Sequence, residues 1–313
     1  MHLVCVMDPP HTVQVDADTS FALMEAAQAR GHRVDHCAMT DLYLLGGVAH
    51  ARVRPATMQR DPARPITLGE AEDVCLRDVD AVLVRRDPPF DETYLWGTQL
   101  LETLRGETLV VNDPRGLRDA NEKLYACHFP ALMTDTLVTN DAARIKAFVA
   151  DVGGRAVIKP LSGAGGAGVM GLTVGDMNFN AIVEATTLSG QRVAMVQKYL
   201  PEVVQGDKRI LLLDGEPLGA ILRVPRKDDL RSNIHVGGTV ESAVLDDADR
   251  AIIAGVAERL REDGLYFVGL DVIGGKLTEV NVTSPTGIQQ MARLDGVDYS
   301  ARVIEWIEAR ALG

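Results

Sequence analysis

In the first third of the chain, short apolar runs alternate with amphipathic stretches. Residues 3–7 form one such run. Over residues 18–29, Phe21, Met24 and Ala27 recur every three positions with Leu23 beside them, which predicts a helix capped by Asp18 and stopped by Gly31. Residues 81–84 and 109–111 read as further buried strands, and residues 117–127 as another helix. Strands alternating with helices predict an α/β layer structure with a mostly parallel sheet. Ligands of such sheets gather where the strands end. There the chain places a rigid, cationic loop, Arg85-Arg86-Asp87-Pro88-Pro89-Phe90.

From about Thr136 the pattern changes to strand, helix (143–152), strand (155–159), glycine loop and strand, the outline of a small lobe. Beyond Pro201, residues 209–213 and 218–224 are joined by Asp214-Gly215-Glu216, a hairpin signal, and residues 266–273 and 277–282 follow as strands. A C-terminal lobe of antiparallel strands is expected. The polar run at residues 226–232 is expected to be a mobile loop. Neither an internal repeat nor a low-complexity tract interrupts the chain.

Length and charge narrow the picture. A chain of 313 residues is long for one core and divides into two or three lobes. Its 46% hydrophobic and 24% charged content is that of an ordinary globular protein, which excludes a disordered or fibrous class. A net charge of −12 argues against nucleic acid, whose phosphates need clustered Lys and Arg. An anionic ligand must then be met by local cations or a metal. The N-terminus lacks the features of a signal peptide, and there is no run of about 18 apolar residues, so a cytoplasmic protein without membrane contact is expected. Cys5, Cys37, Cys75 and Cys127 are scattered without a CxxC pair, and reduced, buried thiols are expected.

Residues 162–168, Ser-Gly-Ala-Gly-Gly-Ala-Gly, contain a literal GxGxxG. A dinucleotide fingerprint must open a helix, whereas residues 169–174 alternate as a strand. A glycine loop between strands instead lays backbone N–H groups over phosphates, with Gly165 and Gly166 at its centre and Lys159 at the strand end before it. A flexible loop without a ligand is the alternative.

A second constellation is Asp271, Glu279 and Asn281. Glu279 and Asn281, two apart on a strand, leave the same face. Hard oxygen ligands of this kind suit magnesium; a hairpin with a polar face is the competing reading. A two-residue turn at Gly274-Gly275 with a regular ladder would set Asp271 opposite Thr278, pointing away from Glu279. A three-residue turn, or one bulge, would bring Asp271 and Glu279 to one face. Gln197-Lys198-Tyr199-Leu200 ends an apolar strand and could present backbone groups to adenine, and Asp207 on the next turn could reach a ribose. An edge strand stopped by Pro201 and an acidic turn are the plainer readings.

These pieces together resemble prokaryotic glutathione synthetase. The likeness is carried by Arg86-Asp87-Pro88-Pro89-Phe90-Asp91, Asn121-Glu122-Lys123-Leu124, Lys159-Pro160-Leu161, Gly206-Asp207-Lys208-Arg209 and residues 278–286 (TEVNVTSPT). It covers nearly the whole chain. The resemblance implies an ATP-grasp fold with three parts. These are an N-terminal Rossmann-like domain (1–121) that binds substrate, a small central lobe (122–200) and a C-terminal catalytic lobe with an antiparallel sheet (201–313).

It implies ATP-dependent ligation of γ-glutamylcysteine and glycine through an acyl phosphate. Lys123 and Lys159 would hold phosphates, Gln197, Lys198, Tyr199 and Leu200 would line adenine, and Asp207 would meet ribose. Asp271, Glu279 and Asn281 would hold two magnesium ions, with manganese as a substitute. Arg86, Asn281, Ser284, Thr286, Gly237 and Gly238 would serve the acid substrate. Lys159, Arg209 and Arg223 would neutralise the transferring phosphate, and a homo-oligomer, a tetramer by analogy, is expected. Two departures stand out: Lys227-Asp228-Asp229 in the polar loop, and Gln290 where the family commonly has a glutamate. The rival readings are an ATP-grasp ligase for a different acid or amine, and a nucleotide-binding module without turnover.

Overall fold

The computed structural model describes residues 1–163, 165–226 and 238–313. Apart from Arg226, the expected loop at 226–232 lies outside them.

The first sheet is built from β1 (His2–Met7), β2 (Arg33–Cys37), β3 (Leu42–Leu45), β4 (Val48–Met58), β5 (Ile66–Leu68), β6 (Glu72–Cys75), β7 (Ala81–Arg85) and β8 (Leu109–Val111). Its order is β3-β4-β2-β1-β7-β8, with β5 and β6 both pairing with β4. The strands β2, β1, β7 and β8 are parallel, and the apolar runs of β1, β7 and β8 suit strands covered on both faces. The antiparallel edge from β3 to β6 was not anticipated. Its signal is present in β4, where Ala49, Ala51 and Val53 are buried while Arg52 and Arg54 are exposed, the period of a half-buried strand.

Helix α1 (Thr19–Ala29) follows β1 and is capped as expected: the Asp18 carboxylate accepts from Phe21 N at 2.8 Å. After α2 (Glu92–Leu101), the single helix expected at 117–127 is two short ones, α3 (Pro114–Asp119) and α4 (Glu122–Ala126). Asn121 causes the break. It leaves helical geometry, and its side chain accepts from Lys123 N and Leu124 N, so that a new helix starts there.

The second sheet has the order β11-β10-β12-β9 and contains β9 (Thr136–Thr139), β10 (Arg155–Pro160), β11 (Met170–Thr173) and β12 (Ala194–Lys198). All its pairs are antiparallel. Ile145 and Val149 of α5 (Ala142–Asp151) and Phe179 and Val183 of α6 (Phe179–Thr187) close a small core over it with Ile158 and Val196.

The third sheet, β15-β14-β13-β16-β17, comprises β13 (Asp207–Leu213), β14 (Glu216–Val224), β15 (Thr239–Ser242), β16 (Phe267–Ile273) and β17 (Lys276–Asn281). It is antiparallel throughout. One face, with Ile210, Leu212, Leu270, Val272 and Val280, belongs to a core that includes Ile252, Val256 and Leu260 of α7 (Asp247–Glu262). Alternation therefore turns Asp207, Arg209, Asp271 and Glu279 to the other face. Helices α8 (Ile288–Asp295) and α9 (Tyr299–Ala311) return the chain to α1. Asn112 bolts the first sheet to the third: its Nδ2 donates to the carbonyls of Phe267 (2.9 Å) and Val282 (2.8 Å), and its Oδ1 accepts from Phe267 N. Among the described residues, no helix is long and apolar enough to cross a membrane.

Candidate active site

The polar face of the third sheet is a ladder of charge. Asp207 pairs with Arg223 across β13 and β14, and one rung along, Arg209, Asp271 and Glu279 are direct neighbours on β13, β16 and β17. Register alone therefore makes the contacts. Arg209 Nε donates to Asp271 Oδ1 at 2.6 Å, Arg223 Nη2 lies 2.9 Å from Asp271 Oδ2, and the same Nη2 donates to Asp207 Oδ2 at 2.5 Å. Burial alone would raise the pKa of Asp271, but the charges of Arg209 and Arg223 outweigh it and hold the carboxyl well below the usual range. Burial likewise works against the Arg223 cation, and Asp207 and Asp271 more than restore it.

The bulge option for Asp271 and Glu279 is the one the chain adopts. Gly274 and Gly275 make a two-residue turn with φ of +55° and +71°, so Ile273 pairs with Lys276 and Val272 with Leu277. The ladder then slips, and Asp271 pairs with Glu279 rather than Thr278. Thr278 is the extra residue of a bulge, and its Oγ1 donates to Asp271 O at 3.1 Å.

Above this face, the second sheet and the glycine loop complete a cleft whose empty space, its open mouth included, is about 910 Å³. Asp207, Asp271, Thr278 and Glu279 line its floor. Lys123, Lys159, Gly163, Gly165 and Gly166 line it from the other side, and Gln197, Lys198, Tyr199 and Leu200 line one end. Lys123 Nζ bridges Glu279 Oε1 (3.0 Å) and the carbonyl of Gly163 in the glycine loop. Lys159 Nζ donates to Gln197 Oε1 at 2.7 Å, and Gln197 Nε2 donates to Thr136 Oγ1. Burial and, more weakly, the Lys123 charge push the Lys159 pKa down, and Glu279 opposes them.

The expected acid-substrate residues divide. Asn281 shares the polar face and donates to Gly269 O at 3.1 Å. Arg209 Nη1 donates to Thr286 O at 3.2 Å, so the turn with Ser284 and Thr286 sits beside the ion-pair ladder. Arg86 is not among the residues lining the cleft; it donates to Asp91 Oδ2 at 2.9 Å on its own loop. Gly238 lies one residue before β15, and Gly237 lies outside the described residues. Gln290 is buried on α8.

Two further charged residues, given no individual role by the sequence, brace the site. Arg85, the partner of Arg86 in the cationic loop, is buried, donating to Ser20 Oγ (3.1 Å) and Pro285 O (2.9 Å). Its signal was its place at the end of a strand with no exposed position. Glu122 accepts from Val282 N, Thr283 N and Thr283 Oγ1 through Oε1. Burial and the neighbouring Glu279 charge raise its pKa. No local pattern could have disclosed a contact across 160 residues.

The donor set is compatible with magnesium. Two hard carboxylates lie side by side on the floor of the cleft, with an amide two residues along, and no group of three or more His, Cys, Asp or Glu gathers among the described residues. A site with few protein ligands suits an ion that keeps waters and shares its shell with phosphates.

A strand floor with paired carboxylates, a glycine loop, one lysine from the small antiparallel sheet (Lys159) and one from α4 (Lys123) define an ATP-grasp fold. Solved structures agree. D-cycloserine synthetase DcsG superposes with a TM-score of 0.66 at 17% identity, covering 98% of this chain and 100% of that one. The ATP-grasp ligase PsnB, complexed with minimal precursor, Mg and ADP, superposes at 0.65 and 17%, covering 100% and 98%. Residues 1–118 match the family described as "Prokaryotic glutathione synthetase, N-terminal domain", and residues 122–296 match "Prokaryotic glutathione synthetase, ATP-grasp domain". Glutathione synthetases of Synechococcus elongatus and Gloeobacter violaceus are each 47% identical to this chain, over 99% and 98% of it and 98% and 96% of their own lengths. That of Bradyrhizobium diazoefficiens is 44% identical over 99% of this chain and 98% of its own. The chain belongs to the prokaryotic glutathione synthetase family.

Proposed function

We propose that this protein joins γ-glutamylcysteine to glycine, driven by cleavage of ATP to ADP and phosphate. The observation that carries the reading is the cleft in which Lys123 and Lys159 face the paired carboxylates Asp271 and Glu279 beneath a glycine loop. In this proposal the lysines and the loop amides hold the ATP phosphates, residues 197–200 line adenine and Asp207 lies toward the ribose. Asp271, Glu279 and Asn281 hold magnesium, two ions in the fullest form, with manganese able to substitute. When bound, the metal supplies positive charge to the phosphate oxygens.

A dipeptide carboxylate oxygen attacks the γ-phosphorus and ADP leaves, giving an acyl phosphate. The amine of glycine then attacks the acyl carbon, losing a proton as phosphate departs. Arg209 and Arg223 place fixed cations on the floor, held in position by Asp271 and Asp207, and so meet developing phosphate charge without reorganisation. Arg86, Ser284, Thr286 and the glycines at 237 and 238 are assigned to the acid substrate. The division into domains at 121 and 200, a cytoplasmic location and a homo-oligomeric state belong to the same proposal.

The test is phosphate release by the purified chain with ATP and magnesium. Release that requires both γ-glutamylcysteine and glycine supports the reading. Release with a different acid or amine would reassign the substrates, and nucleotide binding without release would leave a binding module.

A further inference from the structure

The five-residue helix α4 touches three parts of the site at once. At its start, Asn121 Nδ2 donates to Leu161 O at 3.1 Å, at the foot of the glycine loop. Lys123 Nζ reaches Gly163 O in that loop and Glu279 on the floor. Glu122, the residue between them, puts one carboxylate oxygen on Val282 N (3.0 Å), Thr283 N (3.2 Å) and Thr283 Oγ1 (2.8 Å). These three donors open the turn that continues through Ser284 and Thr286. Adjacent residues of one helical turn thus hold the nucleotide side and the acid side of the cleft.

We propose that Glu122 is a positioning residue for the 282–286 turn and that α4 couples nucleotide binding to acid-substrate binding through it. The inference rests on the substrates proposed above. Lys123 holds a loop carbonyl and a carboxylate, both of which an incoming phosphate would compete with or reorganise. Lys123 is buried, which leaves its stem little room to change rotamer alone, so a shift of its ammonium carries the short helix with it and moves Glu122 and the backbone amides it grips. Carboxylate bonds to N–H donors are among the stronger ones, so the turn follows. Linkage makes the effect reciprocal: if nucleotide tightens the acid, the acid tightens nucleotide by the same factor.

The experiment is calorimetric titration of γ-glutamylcysteine into the intact protein, with and without a non-hydrolysable ATP analogue and magnesium. Wild type should bind the dipeptide several-fold more tightly with the analogue present. In Glu122→Ala that ratio should fall to about one, with the analogue's own Kd in the absence of dipeptide unchanged. Glu122→Gln, which keeps an oxygen acceptor, should recover part of the ratio, and Thr283→Val should lose part of it. A wild type without coupling, or a Glu122→Ala protein that keeps the full ratio, overturns the inference. A Glu122→Ala chain that does not bind the analogue at all makes Glu122 a folding residue and overturns it too. Wild type that binds the analogue but never the dipeptide instead removes the substrate assignment, a result that the phosphate-release assay reports independently.

Discussion

Asp271 and Glu279 face each other across β16 and β17 because Thr278 is an extra residue in the second of these strands. Without that slip Asp271 would sit opposite Thr278, with Glu279 turned to the α7 face. The bulge is therefore what places two carboxylates on one side of the floor, and both line the cleft.

Glu279→Gln and Asn281→Ala are each expected to lose ligation activity on the order of 100-fold or more. A metal contributes several kcal/mol of charge stabilisation at a phosphoryl group, and about 2.7 kcal/mol is a hundredfold in rate. Steady-state phosphate release, paired with circular dichroism to show the variants folded, is the check. Folded variants with near-normal turnover would remove the metal assignment.

Arg86→Ala should raise the KM for γ-glutamylcysteine by roughly ten- to a hundredfold and leave that for ATP nearly unchanged, since a hydrogen bond to a charged group contributes about 1.5–3 kcal/mol. Reaching the substrate requires Arg86 to exchange its Asp91 partner, so Asp91→Asn should lower the same KM modestly. An ATP-only defect in Arg86→Ala would move this residue to the nucleotide side.

Acid should weaken the fold through Asp271. Its folded pKa lies below that of an unfolded aspartate, about 3.9. Its contribution is thus complete above that value and is lost as pH falls through it toward the depressed folded pKa. Melting temperatures measured between pH 4 and pH 2 should fall, and Asp271→Asn, less stable at pH 6, should fall less steeply over that range. Equal acid slopes in the two proteins would count against the Arg209–Asp271–Arg223 cluster as a source of stability.

Gln290→Glu is expected to destabilise the protein at neutral pH. Gln290 is buried on α8, and its Oε1 has no hydrogen-bond partner among the described residues. A carboxylate there must be desolvated, at a cost of about 1–3 kcal/mol, or several degrees in Tm for a chain this size. The loss should shrink at pH 5, where a buried carboxyl takes up its proton. A neutral-pH Tm at or above that of the parent would mean that a cation meets the new charge.

The amino-acid sequence by itself determined the local order of the molecule. Apolar runs and capping residues gave β1, α1, β7 and the antiparallel C-terminal sheet, because burial on one face and a satisfied helix end are properties of a few adjacent residues. The glycine loop, Lys159, and the Glu279–Asn281 pair were legible for the same reason: their geometry follows from spacing within one loop or strand. Tertiary structure decided what joins distant segments. Whether the turn at Gly274-Gly275 would be followed by a bulge is settled in the pairing of β16 with β17, where the ladder slips between Asp271 and Val272, so sequence left two registers open. The seat of Glu122 on Val282 and Thr283 exists only once α4 lies against β17, whereas the break at Asn121 is local capping that the apolar pattern of residues 117–127 masks. Arg85 and Arg86, equal neighbours in the sequence, were separated by the end of β7: Arg85, its last residue, is a buried brace, and Arg86, on the loop beyond it, is a partly exposed cation. Glu122 and Arg85 take their roles from partners as far as 160 and 200 residues away, and no local period encodes them.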